Sequence, residues 1–310
     1  MPMEIYWTLQ SVKKNQDSVL TVGTFDGVHL GHQFILRELR ERAAARGAQT
    51  TLVTFEPHPQ LVLHSPGKPS IQILTTIDEK IDILQKLALD RLVVIEFTRE
   101  FANTSSEAFV ENILFNAIGF HEIVIGYDHA FGKNREGDIT TLKKMSTKLG
   151  FRVAELSAYH IDNTVASSTY IRELLKAGKV KAASKYLGRN YSLTGTVTRG
   201  DGRGKTLQFP TANIALDSNY KLMPRDGVYA VFARIGEERV KGMMNIGMRP
   251  TFDSLVHVLE VHIFEFNREI YGEKLTVEFV DRIRDEIRFT NADELVKQLD
   301  RDKSKSLLLL

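Results

Sequence analysis

The chain has 310 residues, 43% of them apolar, and a formal net charge of only +2. That length exceeds a typical domain of about 100–200 residues, so two domains are expected, and no basic block marks a nucleic-acid or anionic-membrane partner. Cysteine is absent, which excludes disulfides, thiolate catalysis and cysteine zinc sites and is compatible with a cytoplasmic location.

The opening "MPMEIYWTLQSVKKNQ" has no signal-peptide layout. Five apolar runs then read as buried strands: "VLTVG", "TTLVTF", "RLVVIEF", "EIVIGY" and "FRVAELS". Amphipathic segments lie between them. In "HQFILRELRERAAARG", Ile35, Leu36 and Leu39 share a face and Gly47 is a natural stop. "IDEKIDILQKLALD" repeats that design, and "SSEAFVENILFNAIG" does so with Ser105 or Ser106 as its cap. Alternation of this kind predicts an α/β domain built on a doubly wound parallel sheet. The rhythm changes near 187. "SSTYIRELLKAGKVKAASKYLG" reads as two short helices, after which come short strands with turn signals, the pattern of a small β-barrel. A closing helix runs through "NADELVKQLDRDKSK" with Asn291 as cap. The apolar "KSLLLL" is far below the ~20 residues that span a bilayer and is expected to be a frayed or docked tail. The expected domains are 1–186 and 187–310.

The chemistry begins at "VLTVGTFDGVHLGHQ". Glycines, His29 and His32 stand where a strand hands over to a helix. A helix N-terminus exposes unpaired N–H groups and the positive end of its dipole, so anions bind there. Glycines let a phosphate approach the backbone, and the two imidazoles add donors. The alternatives are two unrelated structural histidines, or a metal pair, for which two ligands are too few. "NTVASSTYIRELL" offers a second helix start, with Ser167, Ser168 and Thr169 ahead of Arg172. The hydroxyls could serve only as caps, but the guanidinium is a planar fork suited to phosphate.

In the second half, "GDGRGKT" suggests a Walker A loop, yet the pattern needs glycine where Arg199 stands. "FPTANI" follows. Thr211 and Asn213 are two apart, face one way on an extended chain and offer hard oxygens suited to Mg²⁺; the alternative is a turn capped by their side chains. In "VLEVHIFEF", Leu259, Val261 and Ile263 share one strand face, and Glu260, His262 and Phe264 the other. Glu260 either faces solvent or lines a cleft.

"TVGTFDGVHLGHQ" with "SSTYIRELL" resembles the HxGH nucleotidylyltransferase superfamily. Together with "TFEPHPQLVL", "EFTREFANTSSEAFV" and "GYDHAFGKNREGD", the first half is similar to the adenylyltransferase module of bacterial bifunctional riboflavin kinase/FAD synthetases. The second half, through "GDGRGKTLQFPTANI", "DGVYAV", "MMNIGMRPTF" and "LEVHIFEFNREIYGEKLTVEF", is similar to their riboflavin kinase module. The resemblance implies that Gly23, Thr24, Phe25, Asp26, His29, Gly31 and His32 hold ATP, together with Ser168, Thr169 and Arg172. It brings the flavin to Pro57 and His58 and to Tyr127, Asp128 and Phe131. In the barrel it assigns Gly200, Gly204, Lys205, Thr211 and Asn213 to ATP, Thr211 and Asn213 to Mg²⁺, and Glu260 as base. The implied substrates and products are riboflavin, FMN, FAD and ATP. Two rival readings are an adenylyltransferase with an inactive barrel and a non-catalytic flavin or nucleotide sensor. Intact Lys205, Thr211, Asn213 and Glu260 argue against the first, and the retained His29, His32 and Arg172 against the second.

Overall fold

The apolar runs of the first half form strands because each is covered on both faces. The computed structural model describes residues 2–310 apart from Pro66, Lys68, Asp128, 201–206, Gln208 and 251–254. Packing divides the chain into two units, Met1–Ser167 and Ser168–Leu310.

The first unit holds six parallel strands: β1 Glu4–Tyr6, β2 Ser18–Val22, β3 Gln49–Glu56, β4 Arg91–Glu96, β5 Glu122–Gly126 and β6 Arg152–Leu156. Their order is β1-β4-β3-β2-β5-β6. Five of the six coincide with the runs read from sequence. Only β1 was missed, since three residues are too few to carry a period of two. The helices are α1 Leu30–Ala44, α2 Pro59–Val62, α3 Ile77–Lys86, α4 Ser106–Ala108 and α5 Ile139–Leu149. α4 continues in a wider π winding over Phe109–Ile118.

Successive strand residues feed opposite layers. Leu52, Leu92 and Val124 pack with Leu36 and Leu39 of α1 and Leu84 of α3. Val53, Val93 and Ile123 pack with Val110, Leu114 and, from α5, Leu142. A sheet sandwiched this way needs near-continuous apolar strands. The helix starts are fixed locally. Thr76 and Glu79 form a capping box on α3, and the expected cap Ser105 accepts from the Ala108 N–H at 3.2 Å. From β2 the chain moves outward through β3 and β4, then returns to β5 on β2's other side. The strand order therefore reverses between β2 and β5, and sheets of this kind bind ligands beyond the carboxyl ends at such a reversal.

The second unit opens with α6 Ser168–Lys176 and α7 Val180–Leu187. Six antiparallel strands follow: β9 Tyr191–Thr198, β10 Ala212–Leu216, β11 Gly227–Ile235, β12 Glu238–Pro250, β13 Leu255–Ile263 and β14 Lys274–Arg284. (β7 His160–Ile161 and β8 Thr164–Val165 form a small hairpin at the end of the first unit.) The six close into a barrel in the order β10-β13-β12-β11-β14-β9. Closure removes the exposed edges an open sheet would present.

α7 packs on β14 and β9, burying Val180, Ala183, Tyr186 and Leu187. Full burial of a side chain such as Leu187 is worth about 2 kcal/mol. The packing division at Ser167/Ser168 thus lies ahead of the sequence boundary at 186/187, which marks where strand character starts. The last helix, α8 Ala292–Leu309, is capped by Asn291, which accepts from the Glu294 N–H at 2.9 Å. The terminal leucines continue it. Leu309 and Leu310 pack against Val228, Ala230 and Ile283, so the tail is docked. Arg284 of β14 ties α8 down through Nε and Nη2 bonds of 2.7–3.0 Å to the buried Asp302 carboxylate.

Candidate active sites

The loop after β2 reaches α1 by way of unusual backbone. Phe25, Gly27 and Val28 all have positive φ, at 47°, 82° and 37°. For a β-branched residue such as Val28 this is rare, so the surrounding structure imposes it. His29 is the N-cap of α1, and its Nδ1 accepts from the His32 N–H at 3.3 Å. A neutral His29 bonded in this way carries its proton on Nε2. The rings of His29 and His32 stack with centroids 3.7 Å apart, and Phe25 stacks on His32 at 4.5 Å. The spacing of three residues thus brings both imidazoles together at one helix N-terminus. Gly31 stands between them because nothing larger fits: a Cβ there would meet the Ala166 carbonyl at 2.9 Å and the His29 ring at 3.1 Å. Gly23 ends β2, its N–H donating to the Val53 carbonyl at 3.0 Å.

Asp26 is turned inward. Its carboxylate accepts from the Leu74 N–H at 2.9 Å and the Thr75 N–H at 3.1 Å and is 2% exposed. Its side chain therefore shapes the loop. Ser168, Thr169 and Arg172 open α6 in the second unit.

On the expected flavin side, Pro57 and His58 follow β3. His58 Nδ1 caps α2 by accepting from the Gln60 N–H at 3.2 Å, and Pro59 takes the first helical position. Tyr127, after β5, is exposed, whereas Phe131 is buried against Phe109 and His129. Phe131 anchors its loop. Asp128 lies outside the described residues. Sequence reasoning missed an aromatic group at the carboxyl ends of β3 and β4. Phe55 meets Phe97 at 5.7 Å and Phe101 at 6.0 Å, and all three are half-buried. The signal was present in "TLVTFEP" and "EFTREF", where phenylalanine recurs just at the strand ends.

In the barrel, strand register brings candidate residues together. Asn213 of β10 pairs with Thr198 of β9 and with Glu260 of β13, and Glu260 pairs with Asn245 of β12. Residues directly opposite share a face. Leu259 and Val261 are buried on the inner side, so Glu260 lies outward in one polar row with Thr198, Asn213 and Asn245. Asn245 escaped the sequence reading, although an amide within "MMNIGM" interrupts an otherwise apolar run. A side chain on Gly200 would overlap the Asn213 amide, so this glycine makes room for it. Gly204 and Lys205 lie outside the described residues. Thr211 is exposed just ahead of β10. The carbonyl of the preceding Pro210 accepts from His262 Nδ1 at 2.8 Å. His262 is buried between Phe209 and Phe264, and burial pushes its pKa down.

Residues 11–170 match the family model described as FAD synthetase, and residues 187–310 the one described as riboflavin kinase. A bifunctional riboflavin kinase/FMN adenylyltransferase of Listeria monocytogenes is 38% identical over 93% of this chain and 90% of its own. The chain belongs to the bifunctional riboflavin kinase/FMN adenylyltransferase family. The Haemophilus influenzae member is also 38% identical, over 93% of this chain and 92% of its own. A crystal structure named as a macrolide-efflux protein of Streptococcus pneumoniae covers 99% of both chains with a TM-score of 0.89 and 31% identity. No helix among the described residues is long and apolar enough to cross a membrane. Both units expected of a riboflavin kinase/FMN adenylyltransferase are therefore present here, the parallel sheet and the closed barrel.

Proposed function

We infer that this protein makes FMN from riboflavin and ATP in its barrel, and FAD from FMN and ATP in its α/β unit. The observation carrying the second activity is the stacked His29–His32 pair at the α1 N-terminus, beside the reversal of strand order. An FMN phosphate oxygen attacks the α-phosphorus of ATP, a new P–O bond forms, and the bond to pyrophosphate breaks. The protein's part is positioning and neutralising charge that develops on oxygen. His29 Nε2, His32 and the N–H groups of the loop are donors for that purpose. Ser168, Thr169 and Arg172 are proposed for the same ATP on the strength of their motif. The half-buried phenylalanines and exposed Tyr127 suit a flat ring.

In the barrel, Glu260 takes the proton of the ribityl 5′-hydroxyl as its oxygen attacks the γ-phosphorus and ADP leaves. The row it shares with Asn213 supports that role. The donors Thr211 and Asn213 fit Mg²⁺, a hard ion that keeps water and phosphate ligands and needs few protein oxygens. When bound, the ion neutralises charge on the phosphates. A cytoplasmic location is proposed from the cysteine-free composition.

Incubation with riboflavin, ATP and Mg²⁺, followed by chromatography of the flavins, tests both activities. FAD is the expected product. Accumulation of FMN alone would remove the adenylyltransferase reading, and no conversion of riboflavin or of supplied FMN would overturn both.

A further inference from the structure

Beneath the loop after β2 lies a lysine that neither the motif nor the chemistry above uses. Lys80 of α3 is 4% exposed. Its Nζ donates to the Thr24 carbonyl at 2.7 Å and to Thr54 Oγ1 at 3.3 Å. Thr54 Oγ1 donates to the same carbonyl at 3.1 Å. Two acids act on this ammonium electrostatically, Asp26 from the loop and Glu56 from the end of β3. Burial lowers the lysine pKa and raises that of Glu56, while each acts against the other's shift. An ammonium buried this deeply needs such partners.

We propose that Lys80 is a positioning residue for adenylyl transfer, fixing the Thr24–Phe25 peptide so that its N–H serves the nucleotide phosphates. The argument is geometric. That peptide is trans, so its carbonyl and its N–H point in opposite directions. Lys80 and Thr54 hold the carbonyl inward, and the Phe25 N–H is thereby directed away from them. Among the described residues no acceptor takes it. Asp26 and Thr75 complete the grip, with the Gly27 N–H donating to Thr75 Oγ1 at 3.0 Å. A loop with positive φ at Phe25 and Val28 relaxes when such a grip is lost. The peptide then turns its carbonyl, rather than its N–H, toward an anion.

The proposal rests on the reading of this loop as the ATP site, so the test carries a control for that reading. Adenylyl transfer to supplied FMN is measured against ATP concentration for Lys80→Met, Thr54→Val, the double variant Lys80→Met/Glu56→Gln, and His32→Ala. Riboflavin phosphorylation and melting temperature are measured on the same preparations. Lys80→Met is expected to lower kcat/KM for ATP about 10²-fold, the cost of a small misplacement, with KM rising and kcat falling together. Thr54→Val is expected to lower it about fivefold, one ordinary hydrogen bond. The double variant removes the unbalanced acid and regains melting temperature without regaining transfer. Lys80 has no such role if the double variant recovers transfer, or if KM for ATP stays within about twofold of the parent in Lys80→Met or Thr54→Val. Should Lys80→Met fail to fold, Thr54→Val decides alone. If His32→Ala also keeps its activity, the ATP-site reading fails; if only His32→Ala loses it, the Lys80 proposal alone fails.

Discussion

In the α/β unit, the loop between β2 and α1 takes its shape from groups far away in sequence. Leu74 and Thr75 hold Asp26, and Lys80 holds the Thr24 carbonyl. In the barrel, the row Thr198–Asn213–Glu260–Asn245 takes its shape from strand register, each residue placed by its own ladder. The contrast teaches where each site is vulnerable. A loop with strained backbone depends on every grip, so substitutions outside it reach the chemistry. A row on a closed sheet is held by many backbone bonds, so its chemistry should answer mainly to substitutions within the row.

The largest expected effect tests that division from the barrel side. Glu260→Gln keeps the shape of the row and removes the proposed base, so FMN formation should fall by about 10²–10⁴. The same protein should still convert added FMN to FAD at the parent rate. A loss of both reactions, read by chromatography, would mean that the sites do not divide the work as described. His32→Ala is the mirror test. Loss of one charge-stabilising donor costs about 10²–10³ in kcat, so riboflavin should stop at FMN while its phosphorylation continues.

Gly31→Ala sharpens the comparison at the backbone. Its Cβ would meet the Ala166 carbonyl, which has little freedom to move. A shift of a few tenths of an ångström at the α1 N-terminus should lower adenylyl transfer about tenfold, against 10² for a full ångström. The same change at Gly47, with φ of +65° and no neighbour within 4 Å, disturbs stability through its backbone alone. Steady-state kinetics of the two variants separate crowding at the site from strain elsewhere.

What the sequence made legible follows from the range of the interactions involved. The strands β2 to β6 and the caps Ser105 and Asn291 depend on local pattern, and they stand where the residues predicted them. The His29–His32 stack was readable from spacing because a helix start converts spacing of three into proximity. Lys80 was not readable. It sits in "IDEKIDIL" at a position that looks like a solvated turn of an amphipathic helix, and only the folded chain brings Thr24, Thr54 and Glu56 to it. Asn245 and Asn213 likewise become neighbours of Glu260 through register, which no single-strand pattern contains. Phe131 shows the same limit from the other side: the resemblance brings the flavin to its loop, and only the folded chain shows its ring packed against Phe109 and His129.

The smallest expected effect asks whether the barrel has a remote grip of its own. His262 holds the Pro210 carbonyl one residue before Thr211, an arrangement parallel to Lys80 and Thr24. Phe209 and Phe264 enclose the ring, and Lys303 adds a like-charge influence that also disfavours protonation. Its folded pKa is therefore lowered from the ordinary 6.5, chiefly by burial. With the folded value depressed, the unfolded chain binds the proton more readily, so stability rises with pH across this window. It is complete above about 6.5 and is lost as pH falls toward the folded value. The barrel's denaturation midpoint should drop between pH 7.5 and 5.5, and His262→Gln should flatten that slope. In riboflavin phosphorylation the same variant should raise KM for ATP only a few-fold, about one hydrogen bond's worth, because β10 remains held on both sides by β9 and β13. A rise as large as the one expected for Lys80→Met in the other reaction would erase the contrast between loop and sheet, and would make His262 as much a part of the kinase site as Lys80 is of its neighbour.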